Sequence, residues 1–437
     1  MRDAHLGVKA GDVDWLLRDP EPAARALAAA GGTVVALDAE RGHWRVVWPP
    51  EGASAPARSW DLARPDPPGD PRDRAVLEAD LGRRDLTVNA LAYLPERAEV
   101  VDPTGGRADL RRRLARVVRR DALWDDPLRG WRTVRLAAQL GLRVERRTRG
   151  WVAELAGDLA AGRAARPAPE RVGAELEATL ATPVAGRAFA ALADLGLLGL
   201  DLPELVAGRG VAQGPLHHLD VLDHQLEALQ RLVDAFPEAD PALRWATLLH
   251  DVGKPPTRTP GTVTEDGLVL RDRFHGHDRL GAELAAAALR RLRRPNATVA
   301  RVHDLVAAHM RSLPDDERGA RRFVHRLRPL LPDLLRLMLA DREAAEDLHA
   351  NGEVVASGAE SVCWLGVPLL GEERTLGVVA IQSYSPEVMF NAHDQELLSF
   401  VAFHIASGLE RKRAQEDAKR RAEDDERRLK EREESAR

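Results

Sequence analysis

Asp12-Val13-Asp14 places two carboxylates one residue apart. On a strand, residues i and i+2 point to the same face, so such a pair can converge on one hard cation. Asp61, in the extended run SWDLARP, offers a third carboxylate. Acids in this arrangement suit two-metal phosphoryl transfer, in which Mg²⁺ activates an attacking hydroxyl and neutralises charge on a triphosphate. Further along, Arg129, Arg132 and Arg135 recur every third residue in DDPLRGWRTVRLAAQLGL. That spacing lines them along one helix face, too concentrated a charge for a core stripe. The middle of the chain holds another chemistry: nine of the 14 histidines fall between His217 and His325, within HHLDVLDH, LLHDVGKPP, RFHGHDRLGA and the helical stretch after them. Adjacent His250 and Asp251 at a helix end can bind one metal ion.

These side chains need scaffolds, and the local patterns name them. Residues 1 to about 110 alternate β-prone runs (32–37, 44–48, 88–93, 100–101) with Ala-rich helical stretches. Pro and Gly punctuate them, which predicts a mixed α/β domain. Apolar residues three and four apart make the next hundred residues helical, as in AFAALADLGLLGL, and 214–345 helical again. After Asp347 the texture becomes strand, turn, strand, followed by a helix from about Asn391. Residues 410–437 alternate in charge, which predicts a solvated helix laced with i,i+4 pairs or a disordered tail.

Three strings occur in order: RRDLTVNALAY (83–93), VVDPTGGRADL (100–110) and DDPLRGWRTVRLAAQLGL (125–142). With the DxD pair they resemble the bacterial CCA-adding tRNA nucleotidyltransferase and poly(A) polymerase family, whose head has a polymerase-β-like fold. The resemblance implies that Asp12 and Asp14 hold Mg²⁺, with Asp61 completing the catalytic acids, and that Arg2 and Arg84 contact the nucleotide. Asp126 and Arg129 match the family's EDxxR pair, which hydrogen-bonds the Watson–Crick edge of incoming CTP or ATP. A carboxylate accepts from an exocyclic amine and a guanidinium donates to ring nitrogen or carbonyl, so protein groups replace a template. Arg132 and Arg135 would serve base and phosphate, and Asp125 stands where the family usually has Glu. The family's first strand ends in GGxVRD, whose glycines let backbone N–H groups approach the triphosphate. Here the chain opens at Met1-Arg2-Asp3. The expectation is a truncated gene model in which a GTG valine codon is read as the start.

His224, His250-Asp251 and Asp341 have the order of the HD superfamily of metal-dependent phosphohydrolases, which they resemble. That implies a divalent metal of unspecified identity on these four residues, and a second site from His275, His277 and His309. It also implies phosphatase or 2′,3′-cyclic phosphodiesterase activity. Residues 364–413 look like the C-terminal half of a GAF domain, without an assigned ligand.

The formal charge of −5 excludes holding nucleic acid by bulk positive charge, though not a local basic groove. The single Cys363 excludes an intrachain disulfide and any zinc site built from several thiolates. No run of about 18 apolar residues occurs, and the N-terminus is charged from its second residue, so neither a membrane helix nor a Sec-type signal is expected and the expected location is cytoplasmic. The expected architecture is a multidomain α+β chain. It comprises a nucleotidyltransferase head over 1–110 without its first strand, a helical neck over 111–205 and an all-α HD domain over 206–346. A partial α/β GAF segment over 347–410 and a charged helical tail over 411–437 complete it. The expected function is addition of C and A to tRNA 3′ ends from CTP and ATP, with HD phosphohydrolysis. A poly(A) polymerase, or an HD/GAF signalling protein with a relic head, are the alternatives.

Overall fold

The computed structural model describes residue 2 and residues 12–49, 58–213, 219–261, 272–311, 326–345, 363–370, 375–383, 398–399 and 402. The chain divides into two compact units, Met1–Thr179 with Asp194–Leu200, and Leu180–Ala193 with Asp201–Arg437.

In the first unit, β1 (Asp12–Leu16) runs parallel to β4 (Arg58–Ala63), which pairs antiparallel with β3 (His43–Trp48). β2 (Thr33–Asp38) is antiparallel to β3, giving the order β1-β4-β3-β2. Strand alternation divides the sheet chemically. Val46 and Leu62 are buried with Ala24 of helix α1 (Pro20–Ala29), and Trp44, Trp48 and Leu27 pack around them. Trp60 links Trp15 and Trp48 on this same side, at ring separations of 6.1 and 5.6 Å. Asp14, Asp61 and Arg45 are register neighbours across β1, β4 and β3. The apolar row therefore sends this polar row to the opposite face, since a one-residue slip would bury the acids.

Helix α2 (Arg74–Leu81) starts at Asp73, whose carboxylate accepts from Ala75 N. The strand expected over 88–93 is replaced by a 3₁₀ turn at Thr87–Asn89 and a short β5 (Ala92–Leu94) paired with β6 (Glu99–Val101). Side chains override β propensity here: Asp85 accepts from Leu86 N and Asn89 Nδ2, and the buried Thr87 hydroxyl donates to Asp109. Asp102 accepts from Gly106 N and Arg107 N, anchoring α3 (Gly106–Arg111). A Cβ on Gly106 would lie 2.1 Å from Thr87 O, so only glycine fits where α3 crosses the turn. β7 (Leu114–Ala115) and β8 (Arg143–Val144) form a short parallel pair. Three helices follow in the neck: α4 (Arg129–Leu140), α5 (Arg146–Ala160) and α6 (Pro169–Leu180). Trp131, Leu155 and Leu176 are fully buried among them.

The second unit is helical, with α7 (Ala185–Asp194), α8 (Val221–Ala235), α9 (Pro241–Leu249), α10 (His277–Arg291), α11 (Asn296–Ala308) and α12 (Leu331–Ala345). α8 packs on α9 and α12, and α11 packs on α9 and α10. Asp220 and Asp240 cap α8 and α9 by accepting from Asp223 N and Leu243 N. Leu229, Leu232, Trp245, Leu289 and Leu305 fill the core. Two strands, β9 (Cys363–Leu370) and β10 (Thr375–Ser383), form an antiparallel pair. Most of the expected GAF segment and all of the 411–437 tail lie outside the described residues. Among the described residues, no helix is long and apolar enough to cross a membrane.

Candidate active site and metal centre

A cleft of 1110 Å³ opens in the first unit, lined by Arg2, Asp14, Arg84, Tyr93, Arg129 and Arg132 among others. Asp12 belongs to β1 two residues before Asp14, and its side chain is outside the described set. Arg2, Arg84 and Arg129 each have a tether. The buried Asp80 accepts from Arg84 Nη2 at 2.8 Å and from Asp66 N at 3.0 Å. Arg2 donates to Asn89 Oδ1 at 2.7 Å, and Arg129 donates to Ala122 O at 3.3 Å. Asp61, Asp126 and Arg135 do not line the cleft. Asp61 accepts both Nε and Nη2 of Arg45 at 2.7 Å, a bidentate pair beside Asp14. Asp126 ends the short helix Ala122–Asp125 in an extended conformation and accepts from Arg171 at 3.3 Å, not from Arg129.

Arg129, Arg132 and Arg135 form a continuous row along α4: the first two line the cleft and the last two share Glu175. Steps of three fall about 60° short of a full turn, so the row drifts around the helix. Arg129 meets backbone carbonyls and Arg132 reaches the cleft. Arg135 turns onto α6, where its side chain is 17% exposed and its Nε donates to Glu175 at 2.5 Å. The sequence reading missed Glu175, Arg171 and Asp80. Their visible signal was the four-residue spacing between Arg171 and Glu175, and between Asp80 and Arg84.

In the second unit, His224, His250, Asp251 and Asp341 place one ligand atom each within 4.8 Å of one another, as do Asp251, His277 and His309. Asp251 belongs to both sets. His275 is exposed and outside them, which corrects its placement in the second site. Three rings are oriented by the same device: Nδ1 of His250, His277 and His309 meets the carbonyl three residues earlier, at 2.8, 2.7 and 2.6 Å. Such a bond puts the proton on Nδ1 and aims the Nε2 lone pair inward, as a metal ligand requires. Nε2 of His250 then faces Asp251 Oδ2 at 3.2 Å and Asp341 Oδ1 at 3.3 Å. Lone pair facing carboxylate is favourable only with a cation between them. The protonation behaviour expresses the same demand: burial pulls His250 down, yet Asp251 and Asp341 outweigh it and push it up to about 10. Burial would raise Asp251, but His250 and Lys254 hold it well below the usual carboxylate range. Burial lowers His277. The buried, imidazole-rich donor set therefore fits a divalent metal at each cluster.

Gly253, two residues after Asp251, explains how α10 comes close enough. A Cβ there would lie 2.1 Å from His277 O and 2.7 Å from Gly281 N. Gly253→Ala must push α10 and His277 away. The expected result is a roughly 10–100-fold weaker affinity at the Asp251–His277–His309 cluster, with the four-residue cluster retained, read by metal titration.

Known proteins can be set beside this geometry. A Poly A polymerase head domain model matches residues 1–116 and an HD domain model matches 221–346. An A-adding tRNA nucleotidyltransferase of Deinococcus radiodurans is 51% identical over 346 residues, 79% of this chain and 75% of that one. A CC-adding tRNA nucleotidyltransferase of Thermus thermophilus is 41% identical over 392 residues, 89% and 85% of the two chains. The fold resembles the Bacillus stearothermophilus CCA-adding enzyme in complex with CTP, with a TM-score of 0.52 at 23% identity, covering 80% of this chain and 75% of that one. Identity of this extent along most of the Deinococcus enzyme, on a head with a carboxylate–arginine cleft, makes the chain a member of the tRNA nucleotidyltransferase family and itself a nucleotidyltransferase.

Proposed function

We propose that the head transfers nucleotides from CTP and ATP to the 3′ end of tRNA. The observation that carries this is the cleft in which Asp14 faces a set of tethered arginines. The tRNA 3′-hydroxyl attacks the α-phosphorus of the nucleotide and pyrophosphate leaves. Mg²⁺ held by Asp12 and Asp14, with Asp61 beside them, would ease loss of the hydroxyl proton and neutralise the triphosphate. Arg2 and Arg84 bind the nucleotide, and Arg129 and Arg132 read its base edge, joined by Asp126 when its side chain turns from Arg171 toward the cleft. The reading is supported by the tethers that hold these arginines, since a preorganised donor costs no reordering when substrate arrives.

A second reading, addition of the terminal A alone, is favoured by the higher identity to the A-adding relative than to the CC-adding one. A tRNA lacking CCA and one ending in CC, each with Mg²⁺ and labelled CTP or ATP, separate the cases. Ordered C, C, A addition to the first supports the full activity. ATP incorporation confined to the CC-ending tRNA supports the second reading, and a homopolymeric tail would instead mark a poly(A) polymerase. No incorporation into either would overturn both and favour a relic head.

The HD clusters support a second activity, metal-dependent hydrolysis of a phosphomonoester or 2′,3′-cyclic phosphate. Imidazole-rich sites of this kind suit first-row transition ions better than Mg²⁺. We read the β9–β10 pair as part of a partial GAF segment over 347–410.

A further inference from the structure

We infer that Arg45 is a built-in counter-cation for the acid row of the head, a positioning residue that holds Asp61 against free divalent metal until a nucleotide is bound. The inference rests on the assignment of Asp12, Asp14 and Asp61 to Mg²⁺. Asp14 on β1, Asp61 on β4 and Arg45 on β3 are register partners in turn, so their side chains leave the sheet on one face. An all-carboxylate donor set on a solvent-facing row fits a hard divalent cation. The guanidinium is the odd member of that row. It donates Nε to Asp61 Oδ1 and Nη2 to Asp61 Oδ2, both at 2.7 Å. That is the parallel, two-point grip in which a planar guanidinium matches a carboxylate best. Both groups reach water, with side chains 41% and 27% exposed. A pair this open to solvent adds little to stability, and the core of the sheet lies on the other face, around Ala24, Val46 and Leu62.

What the pair changes is the charge that a cation meets. Asp12, Asp14 and Asp61 put three formal negative charges on two adjacent strands. Arg45 cancels one of them and engages both oxygens of the third acid. A cation that uses Asp61 must displace this bidentate partner or share its oxygens, and in either case it meets a positive neighbour. Asp14 lines the cleft and Asp61 does not, so the grip falls on the acid outside the nucleotide pocket. A bound triphosphate shifts the balance. At such sites Mg²⁺ is held by one or two carboxylates, water and the substrate's own phosphates. Competition from Arg45 therefore weighs most on the nucleotide-free head and least on the nucleotide complex.

The test is Mn²⁺ binding to the nucleotide-free full chain, followed by the paramagnetic resonance of the free ion. Binding that Asp14→Ala removes belongs to the head, which separates it from Mn²⁺ held by the HD clusters. Arg45→Gln should tighten that head site roughly tenfold, the scale of removing one unit charge beside a partly exposed ionic site. At saturating Mg²⁺ its KM for the preferred nucleotide should stay within about twofold of wild type, because substrate phosphates then supply ligand oxygens. A structural role alone would not tighten a metal site. Unchanged or weaker Mn²⁺ binding in Arg45→Gln would overturn the inference. Arg45→Lys keeps the charge and loses the fork, so its affinity should fall between the other two. A Lys value equal to that of Gln would overturn the counter-cation role. Should Arg45→Gln fail to fold, Arg45→Lys is read against wild type: a tighter head site supports the inference and an unchanged one overturns it. If neither wild type nor Arg45→Gln shows Mn²⁺ binding that Asp14→Ala removes, the metal assignment fails and the inference with it. If that binding is present and equal in both, only the role of Arg45 fails.

Discussion

Asp14→Ala should lower nucleotide incorporation roughly a thousandfold with little change in stability. A metal-held carboxylate at a phosphoryl-transfer site is worth several kcal/mol of transition-state charge stabilisation. Each 1.36 kcal/mol is a factor of ten, so a loss of about 4 kcal/mol gives that thousandfold. Stability is spared because Asp14 is exposed on the polar face of the sheet, away from the Ala24–Val46–Leu62 core. Surface substitutions of this sort usually stay within about 0.5 kcal/mol. Single-turnover incorporation of labelled nucleotide and a thermal melt measure the two effects. Rates comparable to wild type would remove Asp14 from the metal site. Asp12→Ala should behave alike. Asp61→Ala is the informative companion: it also removes the bidentate Asp61–Arg45 pair, so a loss as large as that of Asp14→Ala marks a third metal ligand, and a small loss marks a partner for Arg45.

Asp251→Asn should abolish metal binding at both candidate clusters and lower the proposed phosphohydrolysis by two orders of magnitude or more, while nucleotide incorporation persists. Asp251 is the only residue common to the two ligand sets. Its Oδ1 lies 3.4 Å from His277 Nε2 and 3.7 Å from His309 Nε2, while Oδ2 lies 3.2 Å from His250 Nε2. Asn preserves the volume but replaces one anionic oxygen by an amide that donates and cannot ligate, in a site whose other groups are lone pairs. Loss of ligands outright exceeds the 10–100-fold cost of disturbing their supports. Metal content by elemental analysis and hydrolysis of a 2′,3′-cyclic nucleotide read the result. Retained metal with lost hydrolysis would make Asp251 a participant in chemistry rather than a bridge. Lost incorporation as well would show that the head depends on the HD metals.

By itself the sequence determined what short-range physics can carry. The Asp12–Asp14 spacing marks one strand because side chains alternate with period two. The aromatic and aliphatic residues of β3 and β4 choose which face that strand must bury. Asp73, Asp220 and Asp240 cap their helices through contacts with backbone N–H groups two or three residues on, a range that local sequence can encode. The order of His224, His250-Asp251 and Asp341 named a candidate metal cluster, which the helices bring within 4.8 Å of one another. Tertiary structure alone decided the pairings. Glu175 meets Arg132 and Arg135 across 43 and 40 residues, and His224 meets Asp341 across 117. No local pattern encodes such a contact, because it depends on how helices pack and on which way a drifting row of arginines has turned by then. The same reason hid the division of Asp251 between two clusters and the need for Gly253. Both follow from the approach of α10 to within a Cβ of the LLHDVGK turn, a distance set by packing rather than by residue order.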